Sequence, residues 1–167
     1  QLRLTINRLA RERSRLAAVL DNMADGVLIT DDEGRVSLIN PAAARLLGTR
    51  EDLALGASFA QVVRDHRIID LWQQSREEEG EAIQSVELDR REVFLQIIVA
   101  PLEASGPDAR LVILQDLTRL RRLETVRRDF ISNISHELRT PLASLKALVD
   151  TLREEEAVIG ESAAQHF

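Results

Sequence analysis

The sequence predicts an α+β fold: a five-stranded antiparallel sheet carrying short helices, flanked by an N-terminal coiled-coil helix and a long C-terminal helix. Three observations predict it. Apolar residues recur at steps of three and four near both ends, two short β-rich runs open the middle, and three more strand-like runs close it. The expected organisation is residues 1–20 as a leading helix, 21–118 as a central domain and 119–167 as a helical region.

From Leu2 to about Met23, the residues Leu2, Ile6, Leu9, Leu16 and Leu20 follow a coiled-coil register if Arg13 occupies one seam position. So narrow a seam buries little within one chain, so it implies a second helix, most simply from another copy, and a homodimer is expected. The plainer reading is an amphipathic helix packed on its own domain.

Residues 26–30 and 35–39 read as strands joined by Asp31-Asp32-Glu33-Gly34, a hairpin turn. Asn40-Pro41 supplies a capping side chain and a first-turn proline for a helix that ends at Leu47-Gly48. Short helical turns follow from Thr49 to Val63, with Phe59 and Val62 facing inward. A longer helix then starts at His66 or Ile68, carries Ile69, Leu71 and Trp72, and runs through Glu79 to a stop at Gly80. Strands are expected at 81–88, 92–102 and 110–117, joined by an Asp89-Arg90-Arg91 turn and a loop over 103–108 containing Gly106-Pro107.

The net charge of -6, with 30% charged residues, argues against nonspecific nucleic-acid binding, and no nucleic-acid partner is expected. Arginines cluster on the first and last helices, where interspersed acids mark solvated faces. Cysteine is absent, which excludes disulfides, thiolate metal sites and a cysteinyl flavin adduct. His66, surrounded by Arg64, Asp65 and Arg67, reads as solvated rather than as a haem ligand. Leu28, Ile39, Leu46, Val62, Ile69, Trp72, Phe94, Ile97 and Leu114 read as packed core, so neither cofactor nor metal is expected in this chain. No apolar run approaches the roughly 20 residues that span a bilayer, and no secretory signal opens the chain. A cytoplasmic location is expected. The chain opens on Gln1, and it reads as an excised portion of a longer protein.

The chemistry concentrates in Ile134-Ser135-His136-Glu137-Leu138-Arg139-Thr140-Pro141-Leu142. A carboxylate beside an imidazole can make the ring nitrogen a better nucleophile by general-base assistance, and histidine titrates near neutral pH. Leu123, Val126, Phe130, Ile134, Leu138, Leu145, Leu148 and Leu152 form a stripe expected to be the buried face. His136 lies roughly 200° around the helix from Ile134 and from Leu138, so it points away from that stripe. The bland alternative is a polar residue on a solvated face.

The run from Asp129 to Leu142 closely resembles the phosphoacceptor box of sensor histidine kinases of two-component signalling, and in particular the phosphate-regulon type. The resemblance implies that His136 accepts the ATP γ-phosphoryl group, that Glu137 is the general base, and that Thr140 positions water for the reverse, phosphatase reaction. Asp25-Gly26-Val27, Asp32-Glu33-Gly34-Arg35, Ile39-Asn40-Pro41-Ala42-Ala43 and Leu114-Gln115-Asp116-Leu117-Thr118 together are similar to a PAS sensor domain over roughly residues 15–118. That resemblance makes Asp116 and Thr118 the hinge to the output helix, although the same residues could be plain helix caps.

One long helix is expected over 116–156, with Pro141 bending it one turn beyond His136. Helix propensity falls at Val158-Ile159-Gly160, and Glu161-Ser162 could cap a second helix opening at Ala163, the truncated partner of a helical hairpin. The seven glycines are dispersed and form no phosphate-cradling run. This chain alone should therefore not phosphorylate itself, and the resemblance implies that ATP and Mg2+ bind a catalytic domain of the parent. The implied partners are a second copy, that ATP-binding domain and a response regulator receiver domain, in a parent anchored upstream in the cell membrane. The alternative is a dimeric PAS signalling module coupled to a different output domain.

Overall fold

In the computed structural model, residues 2–88 and 92–164 are described, with side-chain surroundings for 3–88 and 92–155. The chain divides into two compact units, Gln1–Arg119 and Leu120–Phe167.

The first unit opens with α1 (Leu2–Asn22), followed by the hairpin β1 (Gly26–Thr30) and β2 (Val36–Ile39). Four short helices come next: α2 (Pro41–Leu47), α3 (Glu51–Ala54), α4 (Phe59–Val63) and α5 (His66–Glu77). Strands β3 (Ala82–Leu88), β4 (Val93–Pro101) and β5 (Arg110–Asp116) complete an antiparallel sheet of order β2-β1-β5-β4-β3. The predicted α+β fold is the one observed. The predicted Asp89–Arg91 turn lies outside the described residues.

Local chemistry explains the elements. Asp31 accepts from the backbone N–H groups of Glu33 and Arg35, which closes the β1–β2 turn. Asn40 caps α2 by accepting from the Ala43 N–H, and Gly48 ends it in the left-handed conformation at φ 69°. The α5 helix stops earlier than predicted: Glu78 is its C-cap, and Glu79, at φ 51°, takes the left-handed position expected of Gly80. The Ser75 hydroxyl then donates to the Gly80 carbonyl at 2.6 Å and holds the turn.

The four short helices cover one face of the sheet. A cross-strand row runs Leu28–Val112–Val99–Ala82, all buried, and Leu95, Ile97 and Leu114 share its face. Strand alternation places Phe94 on the opposite face from Leu95, so the predicted core position of Phe94 is corrected to a half-buried one. From the helices, Phe59, Ile68, Leu71 and Trp72 complete the core. Trp72 stacks on Phe59 with centroids 4.9 Å apart, lies beneath the Arg76 guanidinium and donates its indole N–H to Thr30 Oγ1 at 3.1 Å. Gly34 sits where a Cβ would come within 2.8 Å of the Trp72 ring, which explains a glycine at that turn.

Arg110 is fully buried at the start of β5. Its guanidinium donates to the Ala109, Pro107, Ser75 and Arg76 carbonyls, so a cation caps the C-terminal end of α5.

The second unit is helical. The helix α6 spans Thr118–Ala164 and passes through Pro141 without a break. This corrects two boundaries: Asp116 ends β5 rather than starting the helix, and no second helix opens at Ala163. One glycine in a helix costs about 1 kcal/mol relative to alanine, too little for Gly160 to end it between helix-competent neighbours.

Candidate functional site

His136, Glu137, Thr140 and Pro141 lie on α6, and the first three are exposed. At about 1.5 Å and 100° per residue, Thr140 stands ~6 Å along the axis and ~40° around from His136, so both share one face. Glu137 follows His136 directly, ~100° around. The local backbone is tied by side chains: the Ser135 hydroxyl donates to the Ile131 carbonyl at 2.7 Å, and the Ser144 hydroxyl to the Thr140 carbonyl at 3.1 Å. Pro141 has no N–H to give to the Glu137 carbonyl, so the hydrogen-bond ladder of α6 is interrupted one turn beyond His136.

The predicted buried stripe is exposed in the single chain. Leu123, Val126, Phe130, Leu138, Leu145, Leu148 and Leu152 all face water, and Ile134, the most covered, is 38% exposed. A helix buries such a face only against a partner element. On α1, Ile6, Leu9 and Leu16 are likewise exposed and Leu20 is half-buried, while the side chain of Leu2 lies outside those described.

At the end of the first unit, Asp116 Oδ1 accepts from the Thr118 N–H at 3.0 Å and from its hydroxyl. Thr118 Oγ1 in turn accepts from the Phe94 N–H at 2.9 Å. The two predicted hinge residues are therefore brought together, at a cap tied to the sheet. His66 is the exposed first residue of α5. Its neighbour Asp65 caps that helix, and hydrogen bonding from the Arg67 side chain holds the Asp65 carboxyl below its ordinary range. Among the described residues, no group of three or more His, Asp or Glu side chains gathers as a metal site. None of the described helices is long and apolar enough to cross a membrane.

Two features escaped sequence reasoning. Asn40 was legible as a cap, yet its amide makes four hydrogen bonds that join three elements. Arg110 opens the last predicted strand, and nothing in the sequence marks its burial.

Residues 14–86 match the PAS domain model, and residues 126–166, which contain His136, match the His Kinase A (phospho-acceptor) domain model. The sensor protein kinase WalK of Staphylococcus aureus is 31% identical over 157 residues, an alignment covering 86% of this chain. The chain belongs to the sensor histidine kinases. It spans 24% to 34% of the length of the sensor kinase relatives it matches. Two solved structures share the fold of the first unit at 19% identity. The PAS domain of Bordetella pertussis BvgS has a TM-score of 0.52, covering 77% of this chain and 98% of that one. A PAS domain from Colwellia psychrerythraea has a TM-score of 0.50, covering 66% of this chain and 98% of that one. In this chain, the phosphoacceptor match and the exposed His136 fall on the same helix.

Proposed function

We propose that this chain is the sensor and phosphoacceptor portion of a kinase that phosphorylates His136 from ATP. A PAS domain would receive the signal and α6 would carry the response, with residues 1–20, 21–118 and 119–167 as signalling helix, sensor and phosphoacceptor region. The observation that carries this reading is the match of both family models in consecutive segments, with His136 exposed inside the second.

In the reaction, an imidazole nitrogen of His136 attacks the γ-phosphorus, the bond to the ADP oxygen breaks, and the imidazole proton passes to Glu137. The phosphoryl group then moves to an aspartate of a response regulator receiver domain, and the imidazole leaves. In the phosphatase direction Thr140 positions the water that hydrolyses that acyl phosphate. ATP and Mg2+ are supplied by a catalytic domain outside this chain, so the chain alone is inactive. Pro141 weakens α6 beside His136, and Asp116 and Thr118 form the hinge through which the sheet reaches the helix.

The apolar stripes on α1 and α6, exposed among the described residues, support a homodimer. The segment would work in the cytoplasm beneath a membrane-associated parent. Supplying the chain with a histidine kinase ATP-binding domain in trans, with Mg-ATP, tests the reading: label should enter wild type and not His136→Gln. Equal labelling of both would overturn it.

A further inference from the structure

We propose that Asn40, Asp25 and Gln115 form a hydrogen-bonded relay coupling the last turn of α1 to the cap that starts α6, across the ends of β1 and β5. Asn40 is 2% exposed, and its amide is fully used. Its Oδ1 accepts from the Val27 and Ala43 N–H groups, at 2.8 and 2.9 Å. Its Nδ2 donates to the Leu20 carbonyl at 3.1 Å and to the Asp25 carbonyl at 3.0 Å. Two donors facing one oxygen and two carbonyls facing the nitrogen fix a single amide orientation. A helix cap needs only the Ala43 bond. The other three tie α1 to the start of β1.

The α1 side of this link is narrow. Residues 3–19 are exposed, and Leu20, whose carbonyl Asn40 holds, is the first half-buried residue of the helix. Asp25 continues the connection. Gly26 pairs with Leu114, which sets Asp25 beside Gln115, and Gln115 Nε2 donates to Asp25 Oδ2 at 3.4 Å. Gln115 immediately precedes Asp116, whose carboxylate caps Thr118, while the Leu117 N–H donates to the Phe94 carbonyl at 2.9 Å. Displacing the α1 exit breaks bonds that end one residue from the α6 cap, without passing through the hydrophobic core. Coupling of this kind is reciprocal, so a change at either end is read at the other.

Amide hydrogen exchange on the 167-residue chain tests the relay, and it does so independently of phosphorylation. Asn40→Asp keeps the acceptor oxygen for Val27 and Ala43 but turns an oxygen toward the Leu20 and Asp25 carbonyls. The amides of Leu117 and Thr118 should then exchange faster by on the order of five-fold, the effect of losing about one hydrogen bond, with Val99 and Val112 unchanged. Gln115→Leu, at a partly exposed position, should speed exchange at residues 20–23 and abolish the effect of Asn40→Asp on Leu117 and Thr118. Unchanged Leu117 and Thr118 amides in Asn40→Asp would overturn the relay. So would acceleration spread evenly over β4 and β5, which would make Asn40 a purely structural residue. If Asn40→Asp does not fold, Gln115→Leu decides alone: unaltered exchange at residues 20–23 refutes the coupling.

Discussion

Replacing Leu145 by alanine should weaken self-association through α6. Leu138, Leu145 and Leu152 recur at intervals of seven and are 56%, 58% and 63% exposed in the single chain. Full burial of a leucine side chain contributes about 1.5–3 kcal/mol relative to exposure. With 58% of Leu145 still to be covered, each copy would gain about 1–2 kcal/mol on pairing. A two-fold dimer counts the position twice, so Leu145→Ala should cost about 2–3.5 kcal/mol, a dissociation constant weaker by about 30- to 300-fold. Sedimentation equilibrium across a concentration series measures this directly. Glu154 lies about 180° around the helix from Leu145 and is exposed, so Glu154→Ala should leave association unchanged. Equal dissociation constants for wild type and Leu145→Ala would refute the claim that this stripe is a seam.

Three further predictions concern the first unit. Trp72→Phe should destabilise it by about 2–3 kcal/mol in urea unfolding, through lost volume and the lost Thr30 bond. Adding Thr30→Val should return about 1 kcal/mol because no buried hydroxyl is then unpaired; strict additivity would contradict the indole–hydroxyl bond. The lowered Asp65 pKa stabilises the fold above the ordinary value of 3.8, and this contribution is lost as pH falls through the folded-state pKa. The difference in urea midpoint between wild type and Asp65→Asn should therefore be larger at pH 7 than in acid, and a constant difference would contradict the assignment. Glu79→Gly should raise stability by about 0.5–1 kcal/mol, because glycine adopts φ 51° without a Cβ penalty; a lower urea midpoint would contradict this.

Much of this architecture was legible because its determinants are local. Asp31 and Gly34 announce the hairpin, and Asn40, Pro41 and Gly48 bracket α2 within nine residues. The candidate site was legible for the same reason: His136, Glu137 and Thr140 sit within five residues of one helix, whose period fixes their relative directions. Features set by tertiary contact were not. The Arg110 guanidinium is buried because α5 ends above it, and Phe94 leaves the core because β4 registers Leu95 inward. Asn40 reaches residues 15 and 20 positions away, and Gln115 reaches one 90 positions away, distances at which periodicity carries no information. The α6 stripe is apolar in sequence yet exposed in the single chain, because helical periodicity marks an apolar face without supplying the element that would cover it.

Phosphoryl transfer to His136 in the full-length protein tests the central claim most directly. Incubated with γ-labelled ATP and Mg2+, the wild-type protein should incorporate label and the His136→Gln variant should incorporate none. Undiminished labelling of His136→Gln would contradict the assignment of this histidine as the phosphoacceptor.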